Sequence, residues 1–397
     1  MTDSATGRYL CVEFISHYCC MKYNVLVRND ASTSYIELIR KERTSFIQSR
    51  GGKIRMSSNT FNMDSGCSRS CFGIASTPKE VVCVTGGSGY IGSYLVHLLL
   101  GRGYTVNATV KDLNDEKETK HLEALEGAES RLRLFQIDLL DYDSIVAAVT
   151  GASGVFHLAS PCVVDQVHDP QNEILAPAIK GTINVLTAAK ELGVKRVVIT
   201  SSLAAIMPNP SWPSNVPNNE DCWTDEEFCK QNELWYPLSK TLAEKAAWDF
   251  TKEKGLDIVV LNPGTVMGPI LPPTVNTSMR MILYLISGGT STFENIYTGI
   301  VHIKDVALAH ILVYENTSAN GRHMCVESIS HYGDFAAMVA QLYPEYNIPR
   351  LPKDTQPGLL RSKSASKKLM DLGLEFTPME QIIRDSVESL KSKGFLS

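Results

Sequence analysis

From residue 79 to residue 261 the chain alternates two hydrophobic patterns. Short apolar runs at Val81–Val84, Thr105–Val110, Leu132–Gln136, Gly154–Phe156, Arg196–Ile199 and Asp257–Leu261 predict strands. Between them lie the amphipathic stretches Ile91–Leu100, Lys117–Leu125, Tyr142–Val149, Asn172–Leu192 and Ser239–Lys254, which predict helices. Strand and helix in strict alternation is the pattern of an α/β fold, a doubly wound parallel sheet with helices on both faces. After Pro263 the rhythm breaks. Pro269, Pro272 and Pro273 mark a loop, and the shorter elements beyond predict a smaller C-terminal lobe at the carboxyl edge of the sheet. Ligands bind at that edge in such folds, so the lobe is expected to supply the substrate pocket. The expected division is 1–78 as an extension, 79–262 as a nucleotide-binding domain and 263–397 as a substrate-binding lobe.

Residues 1–78 have no such rhythm. Short apolar stretches alternate with Ser, Thr, Asn and Arg clusters, and the part from Met56 to Thr77 is rich in Ser and Gly. Asp3, Glu13, Asp30, Glu37 and Glu42 suit an organellar transit peptide poorly. The expectation is a disordered tail or a non-native upstream extension, with Met56 and Met63 as plausible internal starts.

Composition narrows the class. Of 397 residues 44% are hydrophobic and 20% charged, as in ordinary soluble globular proteins. A net charge of −5 offers no overall attraction for nucleic acid or an anionic membrane. No apolar run reaches the roughly 18 residues of a membrane span. Five of the ten cysteines fall in the first 71 residues and the others are scattered, with Cys83 inside a predicted buried strand. Reduced thiols in the cytoplasm are expected rather than a disulfide framework or a zinc site. No partner protein is evident.

The chemistry begins after the first strand, at Thr85-Gly86-Gly87-Ser88-Gly89-Tyr90-Ile91-Gly92. Gly86 permits a tight turn, Gly89 lets backbone approach a pyrophosphate, and Gly92 lets helix pack on sheet. The helix starting near Tyr90 and Ile91 then points amides at the anion. This is a Rossmann-type dinucleotide cradle. Lys111 stands first past the second strand, with Lys117 nearby, and a cation there welcomes the extra phosphate of NADP. Asp112 is the competing ribose-binding carboxylate of an NAD site. The balance favours NADP(H). Asp138 and Leu139, ending the third strand, are expected to border the adenine. Leu158, Ala159 and Ser160, after the fourth, are expected to line the middle of the cofactor. His157 is expected to be packed or hydrogen-bonded rather than catalytic.

Tyr236 and Lys240 stand four apart, one turn apart on a helix face. Reducing a carbonyl requires a hydride, an acid for the developing alkoxide and a group to hold the oxygen. Free tyrosine titrates near pH 10, and a neighbouring ammonium is expected to bring it into useful range. Lys240 is placed to do this and to bond the nicotinamide ribose. Ser202, closing the fifth strand after Ser201, offers a hydroxyl to orient the substrate oxygen. Pro237 places Tyr236 at or near the start of its helix, or else introduces a kink after it. The substrate is expected to be a small carbonyl compound.

These residues resemble the extended short-chain dehydrogenase/reductases, and among them the plant cinnamoyl-CoA reductase and dihydroflavonol reductase group. The resemblance runs from about Val81 to Phe395. It includes Gly154 to Pro161, Val197 to Ser202, Asn262-Pro263-Gly264, Val301 to Val306 and Leu342-Tyr343-Pro344. It implies that Ser202, 34 residues before Tyr236, is catalytic with Tyr236 and Lys240. It further implies that the nicotinamide amide lies against Pro263, Gly264, Thr265 and Val266, with a cofactor contact at Ser278. Thioester reductases of the group read Asn-Trp-Tyr-Cys-Tyr-Gly-Lys where this chain reads Glu233-Leu234-Trp235-Tyr236-Pro237-Leu238-Ser239-Lys240. With three neighbours on the substrate side changed, an aldehyde or ketone is expected ahead of a hydroxycinnamoyl-CoA thioester. Two rival readings are an NAD-dependent sugar-nucleotide epimerase or dehydratase and a non-enzymatic sensor of cofactor redox state.

Overall fold

A computed structural model describes residues 80–162, 167–213, 216–288, 297–348, 362–363 and 365–396. The extension assigned to 1–78, with Cys11, Cys19, Cys20, Cys67 and Cys71, lies outside the described residues. Seven parallel strands form the central sheet: β1 Val81–Thr85, β2 Thr105–Val110, β3 Leu132–Gln136, β4 Gly154–His157, β5 Arg196–Thr200, β6 Ile258–Pro263 and, further on, Gly321–Cys325. A second sheet adds β7 Thr265–Met267, β8 Tyr297–His302 and, after Gly321–Cys325 as β9, β10 Ser328–His331. The large sheet runs β3-β2-β1-β4-β5-β6-β9 and the small one β10-β8-β7.

Side-chain alternation explains the layers. Val82 and Val84 of β1, with Val259 and Leu261 of β6, face a core shared with the helices Tyr90–Gly101 and Ile303–Glu315. Cys83, Val197, Ile258 and Val260 face the opposite core, with the helices Tyr142–Val149 and Ala176–Glu191. Strands covered on both faces lose polar alternation, which is why they read as apolar runs. The order in which strands are added reverses between β1 and β4, which pair directly and in parallel. This is the switch point at which such sheets open a crevice.

All six expected strands are present, within one or two residues of their predicted ends. The seventh was not expected. Gly321-Arg322-His323-Met324-Cys325 pairs with β6 from Val259 to Pro263, so the segment assigned to a separate lobe returns to the central sheet. Its Arg322 and His323 are buried, and that polarity hides the strand from an apolar-run reading. The helices Thr277–Ile286 and Tyr332–Leu342 join the C-terminal helix Met379–Ser392 in a third core, where Met279, Ile282 and Leu285 meet Phe335, Val339, Ile383 and Val387. Among the described residues Cys83, Cys162, Cys222, Cys229 and Cys325 are free thiols. No helix among those residues is long and apolar enough to cross a membrane.

Candidate active site

The glycine turn sits at the carboxyl end of β1. Gly86 has φ +68°, the left-handed region that glycine adopts without strain. A Cβ on it would also lie 3.1 Å from the Ala159 backbone across the crevice. At Gly92 a Cβ would stand 2.1 Å from the Gly86 carbonyl oxygen, so only glycine lets helix and turn meet. The turn is fastened to β2, for the Gly86 amide donates to Thr109 Oγ1 at 2.9 Å and the Gly87 amide to the Thr109 carbonyl at 2.9 Å. The helix beginning at Tyr90 has Gly89 as N-cap and no side chain capping it. A tight turn feeding an uncapped helix start is the geometry that binds a pyrophosphate, so these residues fit a dinucleotide. Tyr90 donates its hydroxyl to the Gly268 carbonyl at 3.1 Å, which ties the cradle to the small sheet.

The opposite wall is Leu158-Ala159-Ser160. The Leu158 and Ala159 amides both donate to Thr85 Oγ1 at 3.1 Å, so the ends of β4 and β1 are locked together. His157 is hydrogen-bonded to Thr85 at 2.9 Å and Thr182 at 3.3 Å. Burial, with the Lys240 charge adding, pushes its pKa down to about 3, so it is neutral and structural. Asp138 is exposed, and its Oδ1 accepts the Leu140 amide at 2.8 Å. Leu139 packs close to Gly181. Lys111 and Lys117 are both exposed, the first just past the end of β2 and the second in the first turn of the helix Glu116–Glu123. Asp112 is turned into its own loop, where its Oδ1 accepts the Asn114 amide at 2.8 Å.

Ser202 follows β5 and accepts the Ala204 amide at 3.1 Å. Tyr236 is the second residue of the helix Trp235–Lys254 and Pro237 the third, which is the first-turn placement expected. Lys240 Nζ lies 5.9 Å from the Tyr236 ring centroid. The structure thus brings Ser202, Tyr236 and Lys240 together at the carboxyl edge. Burial raises the Tyr236 pKa, with Cys162 adding, and contact with the Ser202 hydroxyl opposes the rise. The expected lowering by Lys240 is not the dominant effect. Tyr236 is half-buried, and Lys240 is itself buried, which lowers its own pKa while Cys162 and Glu244 oppose that fall.

At the end of β6, Gly264 admits no side chain, since a Cβ would meet the Gly299 carbonyl at 2.2 Å. Thr265 is hydrogen-bonded to Thr298 at 3.2 Å, and Pro263 and Val266 are buried. Ser278 is half-buried in the first turn of the helix Thr277–Ile286. The changed neighbours of Tyr236 are placed differently from expectation. Leu238 packs in an apolar cluster with Ile174, Leu175, Cys229 and Leu234, and Ser239 Oγ donates to the Tyr236 carbonyl at 2.8 Å. These two residues support the helix from within instead of lining a pocket.

A buried network behind the triad escaped the sequence reading. Glu244, one turn after Lys240, receives Ser201 Oγ at 2.6 Å, Asn262 Nδ2 at 2.9 Å and Arg322 Nε at 2.6 Å. Asn262 also donates to the Ser202 carbonyl at 3.2 Å. Arg322 reaches the carbonyls of Glu220, Cys222 and Ala205, and its guanidinium lies 3.8 Å from the Trp223 ring centroid. Glu244 was discoverable as a charge on the buried face that carries Lys240. Arg322, on an unrecognised strand, was not.

A glycine turn at the switch point and a Ser–Tyr–Lys group at the same edge define a nucleotide-dependent oxidoreductase site. Comparison with known proteins agrees. The model of the NAD dependent epimerase/dehydratase family matches residues 82–326. Cinnamoyl-CoA reductase CAD2 of Medicago truncatula is 51% identical over 319 residues, which is 80% of this chain and 97% of that protein. Vestitone reductase from alfalfa has a TM-score of 0.68 at 32% identity, covering 80% of this chain and all of the other. Yeast methylglyoxal/isovaleraldehyde reductase Gre2, solved with NADPH, has a TM-score of 0.69 at 26% identity and covers 79% of this chain and 99% of its own. The chain belongs to the NAD dependent epimerase/dehydratase family, the extended short-chain dehydrogenase/reductases.

Proposed function

We propose that Ser202, Tyr236 and Lys240 carry the reaction of an NADP(H)-dependent carbonyl reductase whose substrate is an aldehyde or ketone. The observation that carries this is the convergence of the three side chains beside a cradle shaped for a dinucleotide. The nicotinamide, when bound, supplies the hydride. Tyr236, whose pKa is raised by burial, holds its proton at neutral pH and delivers it to the substrate oxygen as charge develops there. Ser202 orients that oxygen. Lys240, held close to Glu244 and under the Tyr236 ring, provides positive charge that favours loss of the phenolic proton and binds the nicotinamide ribose. Gly86, Gly89, Tyr90, Ile91 and Gly92 hold the pyrophosphate, and Lys111 and Lys117 face the adenosine phosphate. The reaction takes place in the cytoplasm.

A second reading is reduction of a hydroxycinnamoyl-CoA thioester, favoured by the 51% identity to Cinnamoyl-CoA reductase CAD2. A thioester demands space for a large leaving group and collapse of a tetrahedral adduct. The packing of Leu238 and Ser239 away from a pocket removes one reason for rejecting it. NADPH consumption measured in parallel with aryl aldehydes, ketones and feruloyl-CoA decides between them. A specificity constant favouring feruloyl-CoA by tenfold or more returns the chain to thioester chemistry, and consumption with no carbonyl at all defeats both readings.

A further inference from the structure

The adenosine edge carries a carboxylate that the reaction does not use. Ser88 Oγ, inside the glycine turn, donates to Glu118 Oε2 at 2.6 Å. The backbone amide of Lys111, first past β2, donates to the same oxygen at 3.1 Å. Glu118 arrives from the helix Glu116–Glu123, and three residues on His121 Nε2 is hydrogen-bonded to the Ser88 carbonyl at 3.2 Å. One helix face is thereby laid across the turn. Because the turn is clamped to Thr109, the two donors converge on one niche between β1 and β2. The other nearby acids are engaged locally, Asp112 with Asn114 and Asp115 with the Lys117 amide at 2.9 Å.

We infer that Glu118 limits the preference for NADPH over NADH in this chain. Its carboxylate lies where the adenosine ribose arrives, so it accepts the 2′-hydroxyl of NADH and repels the 2′-phosphate of NADPH. Lys111 and Lys117 oppose that repulsion. The carboxylate therefore restrains the preference for NADPH without abolishing it. This rests on the reading of Gly86–Gly92 as the pyrophosphate cradle.

The test is equilibrium binding of NADPH and of NADH to the full chain, followed by quenching of tryptophan fluorescence. Wild type, Glu118→Gln, Ser88→Ala and Gly89→Val are compared, with melting temperatures alongside. Wild type should bind both nucleotides. Glu118→Gln removes the like charge, and the ratio of the NADH to the NADPH dissociation constant should rise about tenfold or more. Ser88→Ala frees the carboxylate from one of its two anchors and should move the ratio by a smaller factor. Gly89→Val, crowding the Gly86 carbonyl, should lose both nucleotides together. A ratio within twofold of wild type in Glu118→Gln, with Gly89→Val behaving as stated, overturns the inference and leaves Glu118 as a staple between helix and turn. If Gly89→Val binds both nucleotides normally, the cradle reading falls and the inference with it.

Discussion

At the catalytic edge each working side chain hangs on buried structure. Lys240 and Glu244 share a helix face, Glu244 is sealed from solvent against Arg322, and Asn262 ties that pair to the Ser202 backbone. At the adenosine edge Lys111, Lys117 and Asp138 are exposed, and the neighbouring acids close small local turns. The first region is over-determined: three strands and one helix meet in a single hydrogen-bond network. In the second, Glu118 is tied to the glycine turn through Ser88, but the two lysines are exposed and stand outside any buried network. Chemistry that fails if an atom moves is placed where packing forbids movement, and nucleotide choice is left to replaceable charges.

The sharpest way to break this comparison is to remove the acid alone. Tyr236→Phe should reduce turnover by about 10²–10⁴-fold while NADPH binding stays nearly intact, because one positioned proton donor is lost and little packing with it. Single-turnover rates and fluorescence titration separate the two effects. A near-normal rate would mean that the proton comes from another group.

Breaking the support should damage stability as well. Arg322→Met leaves the Glu244 carboxylate buried without its partner, a change that costs about 3–5 kcal/mol in comparable buried pairs. A fall in melting temperature on the order of 10 °C is expected for a chain of this size. Adding Glu244→Gln should recover part of the loss, since the unpaired charge is then gone. Equal melting temperatures for wild type and Arg322→Met would show that the network is not under electrostatic tension.

The same buried architecture predicts a pH dependence of stability. His157 and His310 are buried, and burial lowers their pKa values from 6.5 to about 3 and about 4. Below pH 6.5 the unfolded chain takes up protons that the folded chain does not. Their contribution is therefore complete above pH 6.5 and is lost as pH falls toward 4, by up to about 1.4 kcal/mol per pH unit for each imidazole. Thermal melts from pH 7 to pH 4.5 should show the decline, and His157→Asn should make it shallower. An unchanged slope in that variant would assign the loss to other groups.

How much of this was readable beforehand follows the same division. Apolar runs disclosed the six strands because burial on both faces requires them. The glycine turn and the Tyr236–Lys240 spacing disclosed the site because few residue types satisfy those geometries. β9 was hidden by Arg322, whose charge is neutralised by a glutamate 78 positions away. Glu118 was hidden for a related reason: its partner Ser88 is 30 residues distant, while Asp112 stood in the expected place. Polar pairs across the fold leave no periodic trace. The side chains flanking Tyr236 show the opposite error, since spacing gave the helix but not which of Pro237, Leu238 and Ser239 face inward.

The smallest expected effects lie at the two lysines, and they sharpen the comparison. Lys111→Asp turns attraction for the adenosine phosphate into repulsion, so NADPH should weaken far more than NADH. Lys117→Gln removes one exposed ammonium and leaves neutral polarity behind. Exposed cations are worth about 0.2–1 kcal/mol each in water, so this second change should weaken NADPH by no more than about fivefold. Neither variant should alter the single-turnover rate at saturating nucleotide or shift the melting temperature noticeably, because neither side chain is built into the buried network. Added salt should shrink both effects, as expected for solvent-exposed charges. If Lys111→Asp leaves the preference unchanged while Lys117→Gln alters it, the phosphate is held from the helix and not from the strand end. A loss of turnover in either variant would show that the adenosine edge is coupled to the catalytic edge after all.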